Sequence, residues 1–153
     1  MMSNINQVKQ LREETEAPIN ECLKALSEAK GDREKAKEIL RKWGKTLAAK
    51  KVEREVKEGI IDVYLHPNKK VGVILELRCE SDFVAKNEDF QKLAHELCLQ
   101  IAAMDPENQD LFLSQPWIKD ETKKIKDLLT EHIAKLGENI VVRSFSRLSV
   151  RKP

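Results

Sequence analysis

Glycine and aromatic residues are scarce in this chain. It has five glycines and 5% aromatics in 153 residues. No GxxxxGK[ST] or GxGxxG run is present, so no glycine-rich phosphate cradle is expected, and HExxH and GxSxG are also absent. The three cysteines, Cys22, Cys79 and Cys98, are far apart and form no CxxC. That excludes a disulfide framework and a zinc ribbon. Each lies in an apolar-periodic segment, which predicts buried free thiols in a reducing compartment. No run of 18 apolar residues exists, and the first residues lack the basic-then-apolar pattern of a signal peptide. A cytoplasmic protein with no membrane span, no metal and no cofactor is the expectation.

Charge of one sign is lacking too. The chain has 28 basic and 26 acidic residues, interspersed, for a net charge of +2. No global field draws it to nucleic acid. Cations do gather at Arg41, Lys42, Lys45, Lys50, Lys51, Arg54 and Lys57, and at Arg143, Arg147, Arg151 and Lys152. Glu53, Glu55 and Glu58 interrupt the first group. A solvated face is preferred there, with a helical nucleic-acid-binding module using the linker lysines as the alternative. His66, His95 and His132 are scattered and read as surface histidines. Cys79 has no positioned histidine to activate it.

Apolar mass is sufficient for a core: 41% of residues are hydrophobic and 35% charged, a helix-rich globular balance. Three short helical stripes come first: Ile5, Val8 and Leu11; Ile19, Cys22, Leu23 and Leu26 after Pro18; and Ala36, Ile39, Leu40 and Trp43 after the N-cap Asp32. Gly44 is predicted to end the third. A thin stripe of Leu47, Val52 and Val56 predicts a connecting helix closed by Gly59.

Two strands follow, Ile60–Leu65 and Val71–Cys79, joined by a turn at 66–70. In the second, Val71, Val73, Leu75, Leu77 and Cys79 share a buried face. Asn87 caps a helix with the stripe Phe90, Leu93, Ala94, Leu97 and Ile101. Residues 103–118 read as irregular, with prolines at 106 and 116. A helix carrying Ile125, Leu128, Leu129, Ile133 and Leu136 ends at Gly137, and residues 140–150 form a third strand of imperfect alternation. The fold class is therefore α+β: an N-terminal three-helix module, a linker helix, then a three-stranded antiparallel sheet with helices on one face. The divisions are 1–44, 45–59 and 60–153. The uncovered sheet face keeps apolar residues, Ile74 and Phe145 among them, and predicts self-association.

Between the second strand and the Asn87 helix lies a polar break, Glu80 to Asn87, that contains Phe83 and Val84 beside Asp82. Phe83 either staples back onto Phe90 or is held out for a partner. Held out, it offers roughly 1.5–3 kcal/mol on burial. Spacing alone leaves both open.

Ordered motifs across nearly the whole chain resemble one family. Val8 to Thr15 with Ala17, Pro18 and Cys22, then Lys24, Gly31, Asp32, Lys35 and Ala36, are similar to an N-terminal signature. Ala48 to Lys51 and Glu58 to Ile60 match a linker. Val71 to Leu77, Cys79-Glu80 and Asp82 to Ala85 match a core signature, and Ile133 to Ile140 the closing one. The chain resembles elongation factor Ts, the bacterial nucleotide-exchange factors for the GTPase elongation factor Tu. The resemblance implies a non-enzymatic role, a ubiquitin-associated-like module at 1–44, and a core that grips the GTPase.

Further implications follow from the resemblance. Ser81, Asp82, Phe83 and Val84 correspond to the segment that enters the GTPase near its Mg²⁺, so that GDP leaves. Leu136 and Gly137 match another contact region, and Arg12, Pro18 and Lys24 fall in the N-terminal module, which docks separately. Ser81 replaces the family's usual threonine, Glu16 its glycine and Leu23 its lysine. Ser146 stands where some short forms have cysteine, so no covalent bridge is expected there. One core copy and a short 103–118 connection resemble a trimmed short form, with a homodimer through the open sheet face. If the departures abolish exchange, a plain interaction protein is what is left.

Overall fold

The structure is a computed structural model, and it describes residues 4–150. Arg151 and Lys152 of the C-terminal cationic group lie outside the described residues. Helices α1 (Asn4–Thr15), α2 (Ile19–Glu28) and α3 (Arg33–Lys51) come first. They enclose a small core of Val8, Leu11, Cys22, Ala25, Leu26, Ala29, Ala36 and Leu40. Asp32 caps α3 as expected, accepting the amides of Glu34 (3.0 Å) and Lys35 (3.2 Å). The expected stripes are too generous by three residues: Ile5, Ile19 and Leu23 are exposed. Helices this short can bury only the narrow face turned to their two neighbours.

Gly44 does not end the third helix. The predicted linker helix forms only as far as Lys51, as the last turns of α3, which runs on through Gly44; residues 52–57 are not helical. A glycine inside a helix costs about 1 kcal/mol relative to alanine. Here it allows a close crossing: a methyl group on Gly44 would come 3.3 Å from the Ala134 side chain. The helix stops where Asn139 donates its amide to the carbonyls of Val52 (3.1 Å) and Arg54 (2.9 Å).

The second core is built on β1 (Glu58–Leu65), β2 (Val71–Cys79) and β5 (Val141–Ser149), antiparallel in the order β1-β2-β5. Gly59 closes no helix; it lies in β1 with φ 155°, where a Cβ would meet the Leu77 carbonyl oxygen at 2.3 Å. Between β2 and β5 come α4 (Asp82–Ala85), α5 (Glu88–Met104), α6 (Gln109–Ser114), β3 (Pro116–Trp117), β4 (Asp120–Lys124) and α7 (Ile125–Leu136). Asn87 caps α5 as expected, accepting the Asp89 amide at 2.7 Å. Val73, Leu75, Leu77 and Cys79 face Phe90, Leu93, Leu97 and Ile101 inside one core.

The stretch 103–118 is ordered where irregular chain is expected. Asn108 caps α6, and the buried Gln100 binds Gln115, the Pro116 carbonyl and the Ile118 amide at 2.9–3.2 Å. That side chain, together with the Lys119–Glu96 ion pair at 2.5 Å, holds the β3–β4 hairpin to α5. The imperfect alternation of β5 also has a cause. Leu77 pairs with Val142 and Glu76 with Ser144, so the register shifts at Arg143. The inward set changes from Val142 to Phe145. Phe145 therefore packs on Phe112, with ring centroids 5.2 Å apart, on the covered face and not the open one. The open face carries exposed Ile61, Val63, Leu65, Ile74 and Leu148.

Candidate functional site

At the end of β2 the chain must leave the sheet and start α5, and the α7–β5 connection controls how. Gly137, at φ 78°, ends α7 in the left-handed conformation. Glu138 and Asn139 are thereby turned back onto residues 80 and 81. One oxygen of Glu138, Oε1, accepts the amides of Glu80 (3.1 Å) and Ser81 (2.9 Å). Its other oxygen accepts the Ser81 hydroxyl at 2.6 Å. Asn139 donates its own amide to the Glu80 carboxylate at 2.6 Å, and the Arg54 guanidinium lies 3.6 Å from that carboxylate. Charged acceptors make these the stronger kind of hydrogen bond.

Ser81 has a second task. Its hydroxyl oxygen accepts the Val84 amide at 3.2 Å and so caps α4. Donating to Glu138 while accepting from Val84 needs a hydroxyl, which both serine and threonine supply. Cys79 donates its thiol to the Ser81 carbonyl oxygen at 3.2 Å. Burial, and then the Glu138 charge, push that thiol up to about 11. It is held as a neutral thiol and is no nucleophile at neutral pH.

The single turn of α4 divides its residues by direction. Val84 and Ala85 are buried in the main core. Asp82 and Phe83 point out, and Phe83 is 83% exposed. The staple onto Phe90 does not form. Asp82 pairs with Lys86 at 2.9 Å, and this carboxylate hydrogen bond raises the lysine above its ordinary value. The result is an exposed aromatic on a backbone fixed from behind.

The structure brings some expected residues together and keeps others apart. Leu136, half-buried, and exposed Gly137 directly precede Glu138, so they share an end of the molecule with Ser81–Val84. Arg12, Pro18 and Lys24 are exposed on the N-terminal helices, which have their own core. Glu80, Glu138 and Asn139 escaped the sequence reading as site residues. The available signal was a Glu-Asn pair between a helix-ending glycine and an apolar strand, where polar side chains need a buried use.

The other candidate groups offer less. His66 and His95 are exposed. His132 is not a surface histidine: it is half-buried with Nδ1 2.8 Å from the Leu128 carbonyl oxygen, and burial lowers its pKa. Burial pushes the Cys98 thiol up to about 12. Among the described residues no group of three or more His, Cys, Asp or Glu could hold a metal ion, and no helix is long and apolar enough to cross a membrane. Of the linker cations, Arg54 faces Glu80, Lys57 lies 3.8 Å from Glu55, and Lys50 and Lys51 occupy the last turn of α3, where cations oppose the helix dipole. A cleft of about 620 Å³ between the N-terminal helices and α7 is lined by mixed charges, among them Lys37 against Glu14 and Lys123 against Glu131.

The family model described as "Elongation factor TS" matches residues 80–153, from the first braced residue to the end of the chain. Proteins named "Elongation factor Ts" match over nearly the whole length. The one from Herpetosiphon aurantiacus is 41% identical over 195 residues, covering 98% of each chain. That from Thermodesulfovibrio yellowstonii is 42% identical over 187, covering 94% of each. That from Thermotoga maritima is 41% identical over 193, covering 98% of this chain and 97% of its own. These aligned lengths exceed the 153 residues here, so the relatives carry segments that this chain lacks.

Proposed function

The chain belongs to the elongation factor Ts family, and from that premise we propose that it is a guanine-nucleotide exchange factor for the GTPase elongation factor Tu. Ser81, Asp82, Phe83 and Val84 form the wedge that perturbs the GTPase near its Mg²⁺ and phosphate loop. Leu136 and Gly137 are a neighbouring contact. Arg12, Pro18 and Lys24 belong to the separate docking surface of the N-terminal module. The observation that carries this reading is Phe83, its ring largely exposed on a backbone tied down by Glu138.

Such a factor needs no catalytic acid, base or cofactor. It binds the nucleotide-free GTPase better than the nucleotide-bound one. By linkage it then weakens nucleotide by the same factor by which nucleotide weakens it. A preset wedge suits that work, because little ordering entropy is lost when it docks. Within the wedge the residues divide the work. Phe83 supplies the apolar surface, Asp82 a charge beside it, Val84 the core anchor, and Ser81 the hinge-pin that caps the turn.

The functional division that goes with this reading is a ubiquitin-associated-like module at 1–44, a connector at 45–59 and a gripping core at 60–153. Two separate apolar cores, one below residue 41 and one drawn chiefly from 73–142, support it. The working compartment is the cytoplasm. The open sheet face, with Ile61, Val63, Leu65 and Ile74 clustered across β1 and β2, pairs with a second copy in a homodimer. Light scattering that reports one chain's mass at every concentration overturns the dimer.

The exchange reading is tested by release of fluorescent GDP from cognate elongation factor Tu. The full chain accelerates release in a saturable way. Release at the spontaneous rate with micromolar factor present overturns the reading.

A further inference from the structure

Helix α1 ends at Thr15, and the next residue, Glu16, has φ 59° with its amide donating to the Arg12 carbonyl at 2.7 Å. This left-handed position after a helix favours glycine, and a side chain there is strained. The Glu16 side chain leaves its own module. Its carboxylate lies 2.7 Å from the ammonium of Lys135 on α7. The same ammonium is 3.3 Å from Asp89, in the first turn of α5. One cation thus ties the α1–α2 connection to two elements of the core. Burial pulls the Lys135 pKa down, yet the hydrogen bonds and charges of Glu16 and Asp89 carry it above its ordinary value, so it stays charged.

A second point of attachment lies along the same helix. Gly44 of α3 lies against Ala134, the residue before Lys135. Helix α7 therefore meets the N-terminal module at adjacent residues, by close packing and by charge. Lys135 in turn precedes Leu136 and Gly137.

We infer that Lys135, held between Glu16 and Asp89, is a positioning residue that fixes the N-terminal module against the core and sets the spacing between the two regions proposed above to grip the GTPase. Its role in exchange rests on that reading. Two contact regions joined at the right spacing bind as one, and slack between them lowers the effective concentration of the second.

The test compares the full chain with Lys135→Met, Glu16→Gly and the double variant. ¹⁵N relaxation reports whether residues 4–50 and 58–150 tumble together, and GDP release from elongation factor Tu is titrated with each protein. The unaltered chain tumbles as one body. Each single variant loosens it and raises the half-saturating concentration about three-fold, the scale of a partly exposed ion-pair network. The double variant goes no further, and the maximal release rate holds. Added salt shrinks the difference.

Glu16→Gly separates positioning from simple stabilisation. It removes the backbone strain, so its melting temperature holds or rises while its half-saturation worsens. Joint tumbling in both single variants, or an unmoved half-saturation, overturns the inference. If the unaltered chain releases no GDP, the exchange reading falls by itself, and the relaxation data alone judge the clasp.

Discussion

The two regions proposed to meet the partner expose apolar side chains in different ways. On the N-terminal module, exposed Ile19 and Leu23 lie four residues apart on a regular helix, α2, and are presented by its ordinary backbone ladder. At the core end, Phe83 stands on a single turn whose backbone is held by a carboxylate, a hydroxyl cap and a thiol. Scattered exposed apolar residues on a helix are ordinary and carry little information. An exposed aromatic on a backbone immobilised by charged hydrogen bonds is different. The ordering cost of presenting it has already been met by folding, so the free energy of burying it is available to binding.

The sharpest way to break this comparison is to remove the side chain at each end. Phe83→Ala is expected to lower exchange efficiency by about ten- to a hundredfold, the equivalent of about 1.5–3 kcal/mol of lost burial. Its thermal midpoint should stay within a degree or so, because an exposed side chain contributes little to the fold. Leu23→Ala should change exchange only about two- to threefold, as a rim residue does. Equal losses from the two variants, measured by GDP-release titration, would erase the distinction.

A smaller effect is expected from the brace. Glu138→Ala leaves the amides of Glu80 and Ser81 and the Ser81 hydroxyl without their acceptor, which costs about 1–3 kcal/mol where water cannot replace it. Hydrogen exchange should then quicken around residues 80–86 and leave the N-terminal helices unchanged. Ser81→Thr keeps the hydroxyl and should retain both order and exchange. Protection lost equally in the two regions would show that Glu138 supports the whole fold and not the proposed wedge.

The smallest effect concerns the junction of the two regions. His132 is carried by α7, which packs on α3, and burial lowers its pKa below the ordinary 6.5. The unfolded chain then binds a proton that the folded chain refuses. The stabilisation from neutral His132 is complete above about pH 6.5 and is lost as pH falls through the lowered folded value. Chemical denaturation between pH 7.5 and 5.5 should show a decline that His132→Gln removes. A decline of the same size in the variant would assign it to carboxylates.

Local signals in the chain were read well where one residue decides the outcome. Asp32 and Asn87 cap their helices, Gly137 stops α7, and the alternation from Val71 to Cys79 names the buried face of β2. Each depends on backbone geometry within a few residues. Gly44 was misread because a glycine at the end of an apolar stripe reads as a stop, and only the neighbouring Ala134 explains its use inside a helix. Residues 103–118 were misread because the organising group, Gln100, lies on another element. The faces of β5 were illegible because the register shift at Arg143 is a property of the pair of strands and not of one.

The candidate site divides along the same line. The sequence by itself determined the family, the α+β class and the capped helices, and it singled out the Ser81–Val84 segment, because cap chemistry, alternation and ordered motifs are local or linear in the chain. Whether Phe83 folds inward or stands out was decided by Glu138, 55 positions further on, whose carboxylate ties residues 80 and 81 and aims the turn. The closing of Glu16 onto Lys135 likewise joins residues 119 positions apart. Contacts of that span depend on how the elements pack, and a carboxylate has the same appearance in a sequence whether it faces water or three partly buried donors.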